Sequence, residues 1–384
     1  MSMIANKLRI AFLSSFTPRE CGIATFTRDL VDSIDRERTL NHSVVVAVNE
    51  KGAHYNYGPR VKFQIKQERP DSYVQAAQFI NNSKADIVNL QHEFGIFGGP
   101  WGRHILSFLE NVTKPVISTL HSVITQPPPE PKHILKKVVE SSALTIVMAK
   151  RGKELLEEFY RVSGDVVEII PHGHPDVPFL EDNSKVKASL GLRGKFVLST
   201  FGLITPGKGI EYAIRALPRL VKMNPHILYL IVGETHPQFR INEGEQYRKG
   251  LIDLSEELGL DENVTFHNRF LPKRQLIRYI QATDVAVIPY VNKGQITSGT
   301  LSYFLGAGKA VISTPIFHAE EALSGGRGLL CEFRSSQSIA KCLKKLMTDS
   351  ELRRRIRTNA YKYSRKSTWP NVAKDYIEVF KRVK

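Results

Sequence analysis

The amino-acid sequence predicts an α/β protein of two doubly wound domains, each built on a parallel sheet. Three observations carry that reading. The chain has 384 residues, too many for one ordinary core and suited to two domains of about 150–200 residues each. Short apolar or β-branched runs alternate with segments of helix length, which is the pattern of βαβ units. The series begins again after residues 171–187 (PHGHPDVPFLEDNSKVK), a stretch rich in proline and polar residues that reads as a linker.

In the first series, residues 8–16 (LRIAFLSSF) read as a strand that ends in a Ser/Thr/Pro turn. Residues 22–34 follow as a helix, because Ile23, Phe26, Leu30 and Ile34 fall at helical spacing. Val44–Val48, Ile87–Leu90, Val116–Leu120 and Leu144–Met148 read as further strands. Pro127–Pro131 reads as a stiff surface loop. The second series runs strand Phe196–Phe201, helix 209–224, strand Ile227–Val232, helix 243–258, strand Val264–His267 and helix 272–282. Strand Val285–Pro289, helix 298–307, strand Val311–Thr314 and strand Gly328–Glu332 complete it before a basic helical tail. The expected domains are residues 1–180 and 181–365, with a last helix at 366–384.

Hydrophobic residues make up 42% and charged residues 24% of the chain, which are globular values. No apolar run reaches the roughly 18–20 residues of a membrane span, and the start has no signal-peptide layout. Three cysteines (Cys21, Cys331, Cys342) are too scattered for a disulfide framework or a zinc site, so a reduced, cytoplasmic setting without metal is expected. The net charge is +16, which calls for an anionic partner. Half of it, a net +8, lies between Glu351 and Lys384. That tail reads either as a solvated helix face or as a peripheral contact with anionic lipid, at the inner face of a membrane, or with a glycan. No zinc-finger, RNP or KH signature occurs, so nucleic acid is not an expected partner.

Candidate chemistry gathers at strand-to-helix turns. Gly22-Ile23-Ala24-Thr25 follows the first strand, where a glycine admits a ligand to the backbone and a helix start favours anions, or simply makes a tight turn. It is not a full dinucleotide fingerprint. Gly202 through Lys208-Gly209 places three glycines and a lysine at a helix start, suited to a pyrophosphate, but without Walker spacing. Gln295-Ile296-Thr297-Ser298-Gly299-Thr300 opens another helix with three hydroxyls, more than N-capping needs. His92-Glu93 and His121 follow strands at their carboxyl ends, where ligands bind in such sheets. His172, His174, His226 and His236 read as structural or surface residues. No metal-ligand spacing, G-x-S-x-G or H-E-x-x-H occurs.

In this order the pieces resemble the glycosyltransferase family 4 enzymes, over nearly the whole chain. The matching segments are Gly22-Ile23-Ala24, Thr119-Leu120-His121, Ile170-Pro171-His172-Gly173, Gly202 to Gly209 and Leu230-Ile231-Val232-Gly233. Asn263 to Phe266, Ala282 to Pro289, Gly306 to Ile312 and Trp369 with the last helix complete the set. The resemblance implies the GT-B fold, two Rossmann-like domains facing a central cleft, with the final helix crossing back to the first domain. It implies transfer of a sugar from a UDP- or GDP-linked donor, held by the second domain, to a glycan, lipid or small-molecule acceptor held by the first. A nucleotide-diphosphate sugar is then a co-substrate, and no cofactor or metal is implied.

By the same resemblance, Gly202 and Lys208 would hold the donor phosphates, together with the amides of Ser298, Gly299 and Thr300, and His121 would lie near the donor sugar. The basic residue that commonly follows the glycine is Leu203 here. The E-x7-E motif is altered to Gln295 and Tyr303, so Glu320 and Glu321 are candidates for ribose recognition. Retention of configuration is implied, with the leaving phosphate helping to deprotonate the acceptor. An inverting course would need a base, for which Glu93 or Glu20 would serve. The competing readings are a sugar-nucleotide epimerase or hydrolase of this fold, and a non-catalytic sugar-nucleotide-binding protein.

Overall fold

The computed structural model describes residues 7–384; the first six, part of the stretch read for a leader, lie outside the described residues. The chain divides into two compact units, Met1–Gly173 with Trp369–Lys384, and His174–Thr368.

The first unit runs β1 (Ile10–Ser14), α1 (Gly22–Glu37), β2 (Val44–Asn49), β3 (Val61–Lys66), α2 (Pro70–Asn81), β4 (Ile87–His92) and α3 (Ile105–Leu109). It continues with β5 (Val116–Leu120), α4 (Pro129–Glu140), β6 (Leu144–Val147), α5 (Lys150–Leu155) and β7 (Val167–Ile169). The seven strands are parallel, in the order β3-β2-β1-β4-β5-β6-β7. The order turns back between β1 and β4. Both are buried along their length, which suits the apolar run of β1, whereas β4 carries Asn89, Gln91 and His92 into the buried sheet.

The second unit runs α6 (Ser184–Ser189), β8 (Phe196–Phe201), α7 (Ile210–Val221), β9 (Ile227–Val232), α8 (Pro237–Glu243), α9 (Gln246–Glu257), β10 (Val264–His267) and α10 (Lys273–Ala282). It continues with β11 (Val285–Ile288), α11 (Gly299–Gly306), β12 (Ala310–Ser313), α12 (Phe317–Ala322), β13 (Leu329–Leu330), α13 (Ser336–Thr348) and α14 (Ser350–Ser364). Its six parallel strands follow the order β10-β9-β8-β11-β12-β13, so the switch point lies between β8 and β11. The last helix, α15 (Trp369–Val383), belongs to the first unit. It buries Trp369, Val372, Ala373, Tyr376, Ile377, Val379 and Phe380, each large apolar side chain contributing about 1.5–3 kcal/mol.

Several expectations change. Pro127–Pro131 is not simply a loop: Pro129 begins α4 and Pro131 is buried, because proline is well tolerated in a first helical turn. The helix read over 243–258 begins only at Gln246, and a shorter helix precedes it, ended by Gly244 at φ +64°. The linker read over 171–187 is tied down. His174 is buried, with Nδ1 bonded to Pro175 O at 2.9 Å and Nε2 to Ser364 O at 2.8 Å. Two arginines of the basic tail hold this segment in place rather than standing on a free cationic face. Arg357 donates to Gly308 O, Glu181 O and Leu180 O, and Arg365 pairs with Asp176 and donates to Gly306 O. Arg353 donates to Leu346 O, and Arg354 pairs with Glu351.

Candidate active site

In the second unit the loops leaving β8, β9 and β11 meet at the switch point. Gly202 N–H donates to Val232 O at 3.0 Å and Gly233 N–H to His267 O at 2.9 Å, so the loops continue the sheet's pairing. Gly233 has φ +144°, and a Cβ there would lie 2.0 Å from Gly202 O; only glycine lets the two backbones pass. Gly209 has φ +59° and lies against the Pro289 carbonyl, which fixes the end of the loop beside the β11 exit.

Lys208 projects from this loop. Its Nζ donates to Tyr290 Oη at 2.8 Å and lies 4.2 Å from the centre of that ring. Tyr290 is buried. Burial alone raises a phenol, but the Lys208 charge and the hydroxyls of Thr300 and Ser298 outweigh it and hold Tyr290 below its ordinary value. Thr300 Oγ1 donates to Phe201 O at 3.2 Å. A Cβ on Gly202 would lie 3.5 Å from Thr300 Oγ1 and 3.9 Å from Lys208 Nζ. Gly202, Lys208 and the start of α11 are thus neighbours in space although they span about a hundred residues of sequence.

The α11 start is ordered from both sides. Ser298 Oγ caps it by accepting from Leu301 N–H at 3.2 Å, and Ser298 N–H donates to His318 Nδ1 at 2.8 Å. Gly299 and Thr300 follow in the first turn, where amides have no intrahelical acceptor and the dipole favours an anion. Thr297 Oγ1 is buried without a hydrogen-bond partner. Gln295 is half-buried, and its Nε2 donates to Thr297 O at 3.0 Å, leaving Oε1 as an acceptor. Tyr303 sits in the apolar cluster beneath α11, its ring 6.0 Å from that of Phe201. Glu320 is exposed on α12, 3.6 Å from Lys293 Nζ, and Glu321 is half-buried beside it.

In the first unit, Gly22 is the exposed first residue of α1, and a Cβ there would meet nothing within 4 Å. The backbone therefore does not demand glycine at that point. His121 follows β5 and is 8% exposed; Phe26 meets it edge-on at 4.8 Å. Its Nε2 bonds Gln91 Oε1 at 2.8 Å. Burial first, then the neighbouring His172 and His92, hold its pKa well below the usual value, so the ring is neutral at ordinary pH. His92 is fully buried, stacked on Phe97 at 5.8 Å, and burial brings its pKa down to about 3. Glu93 has both oxygens engaged: Oε1 accepts from Phe94 N–H at 3.1 Å and Oε2 from Ser122 Oγ at 2.5 Å. Burial raises its carboxyl against those two bonds. Its Oε1 caps the turn after β4.

Residues 182–363 match the family described as glycosyl transferases group 1. Among curated proteins, D-inositol 3-phosphate glycosyltransferase of Stackebrandtia nassauensis is 29% identical over 63% of this chain and 54% of that protein. Lipopolysaccharide 1,2-N-acetylglucosaminetransferase of Salmonella typhimurium is 25% identical over 63% of each. The chain spans little more than half the length of the first of these relatives. Among solved structures, Anabaena HepE in complex with UDP and glucose covers 98% of this chain at TM-score 0.74 and 17% identity. Sucrose-phosphate synthase of Thermosynechococcus elongatus covers 98% at TM-score 0.79 and 16% identity. At those identities the likeness speaks for the fold, which is GT-B. That family match falls in the second unit and covers just under half of the chain.

Sequence reasoning passed over Tyr290, His318 and Asn89. Tyr290 and Asn89 carried a signal, a polar atom within or just after a buried strand. What each one touches is set by other strands.

Proposed function

We propose that this protein transfers a sugar from a nucleotide-diphosphate sugar to a carbohydrate or lipid-linked acceptor, with the donor held by the second unit. The observation that carries this is the convergence of the Lys208 ammonium, Gly202 and the α11 start at the β8/β11 switch point. It supplies one full charge and a set of oriented amides where a diphosphate leaving group gathers charge, without calling on a metal. Among the described residues no group of three or more His, Cys, Asp or Glu could hold a metal ion. The similar structures solved with UDP and with UDP-glucose make a UDP-sugar the first donor to test.

A retaining course, in which the leaving phosphate helps to deprotonate the acceptor, calls for no carboxylate base. Gln295 Oε1 would accept from a sugar hydroxyl, and Glu320 or Glu321 would take the ribose. The basic tail adds at most a weak attraction to an anionic membrane surface, since Arg353, Arg357 and Arg365 are already bonded within their own unit.

A thermal-shift panel of UDP-, GDP- and ADP-sugars, followed by release of nucleoside diphosphate with and without an acceptor, tests the proposal. Stabilisation by one base class and acceptor-stimulated release are expected. Release that no acceptor accelerates would replace transfer with hydrolysis or epimerisation. No stabilisation by any donor would overturn the donor site.

A further inference from the structure

Strand β4 directs Ile87, Asn89 and Gln91 to one face, since side chains alternate along a strand. On that face Ile87 lies in the apolar cluster with Phe12, Ile117, Ile146 and Tyr376, packed under α1 and α15. Asn89 and Gln91 are both 0% exposed. Amides in such a place stabilise nothing that a well-packed apolar side chain would not, and each costs free energy unless fully bonded. The fold by itself therefore does not ask for them.

Their hydrogen bonds form a directed relay. The Ile117 carbonyl can only accept, so Asn89 turns its Nδ2 toward it, at 3.1 Å. Asn89 Oδ1 then faces Gln91 Nε2, which donates to it at 2.5 Å. Gln91 Oε1 is left toward His121 Nε2 at 2.8 Å, and an oxygen there requires an N–H. Thr119 Oγ1, 3.5 Å from Asn89 Nδ2 and 3.0 Å from Tyr376 Oη, ties the relay to α15.

We infer that Asn89 and Gln91 are positioning residues that lock His121 as its Nε2–H tautomer, anchored on the Ile117 carbonyl, so that Nδ1 is a fixed acceptor for a hydroxyl of the sugar substrate. The substrate half of this statement rests on the proposed transferase reading; the lock does not. A fixed acceptor gives the site a preference for a sugar bearing that hydroxyl, because a deoxy analogue leaves a polar group unpaired.

The test reads the tautomer directly, in full-length protein carrying ring-labelled ¹⁵N histidine, with His121→Gln used to assign the signal. Wild type is expected to show only the Nε2–H form at His121. Asn89→Leu does not touch His121, yet it removes the acceptor that orients Gln91 Nε2 and leaves the Tyr376 hydroxyl, which can donate or accept, as the amide's other partner, so a mixture or the Nδ1–H form is expected. Gln91→Met removes the acceptor and should mix the tautomers too. In both variants kcat should fall about tenfold, the size of one lost hydrogen bond, with the donor KM changed far less. An Nδ1–H or mixed wild type would overturn the lock. So would variants that keep the wild-type tautomer. A lost lock with unchanged kcat would overturn the substrate contact while the lock stands, which separates the two failures.

Discussion

Replacing Lys208 by alanine separates the chemistry of the donor site from its architecture. The ammonium lies 2.8 Å from Tyr290 Oη and over its ring. Losing it removes a cation–π contact worth about 0.5–2 kcal/mol and a hydrogen bond worth about 1 kcal/mol. Tyr290 is not orphaned, because the Ser298 and Thr300 hydroxyls remain beside its oxygen. The fold should therefore lose about 1–3 kcal/mol from a total of about 5–15 kcal/mol, and stay folded. Catalysis loses more. A preorganised charge at a departing diphosphate is comparable to an oxyanion-hole donor, about 2.7–4 kcal/mol, or 10²–10³ in kcat. The assay is nucleoside diphosphate release at saturating donor, alongside a urea melt. Turnover within a few fold of wild type, in a folded variant, would refute the assignment of Lys208 to the phosphates. A second readout is the Tyr290 phenol: without the ammonium, burial is less opposed, so its pKa should rise in an ultraviolet titration.

Other outcomes follow from the same geometry. Gly233→Ala would press a Cβ to 2.0 Å from the Gly202 carbonyl at φ +144°; a loss of about 3 kcal/mol or more is expected from backbone strain and overpacking, and an unchanged urea midpoint would contradict it. Lys309 is 1% exposed and bonded to Gln281 O, and burial with the Arg357 charge lowers its pKa from 10.5 to about 7. Between those values the unfolded chain binds the extra proton, so this residue makes stability rise with pH, by about 1.4 kcal/mol per unit. Lys309→Met should flatten that slope in urea melts between about pH 7 and pH 10, and an unaltered slope would show that Lys309 stays charged in the fold.

Most of the strands legible from residue order alone are buried on both faces, although the edge strand Val264–His267 was legible too. Phe196–Phe201, Ile227–Val232 and Val116–Leu120 are uninterrupted apolar or hydroxyl-bearing runs, and their bounds in the structure are the same. β3 and β7 escaped because their local patterns are weak: Val61–Lys66 alternates exposed lysine and glutamine with apolar residues, and Val167–Ile169 is only three residues long. The proline run was misread because proline breaks a helix interior yet suits its first turn, and composition does not say which turn it occupies.

For the candidate site, residue order by itself singled out the glycine loop after β8, the hydroxyl-rich start of α11 and the histidine after β5. Those are local features, carried by neighbours in the chain. Only the tertiary structure decided what each one touches. It set Lys208 on Tyr290, His318 against Ser298 N–H, and His121 at the end of an amide relay from Ile117. It also turned Arg357 and Arg365 of the basic tail from part of a prospective docking face into side chains that hold residues 176–181. These partners stand tens of residues apart or more, and strand order and register bring them together. That order is selected by the burial of whole strands and helices, which no local window of sequence contains.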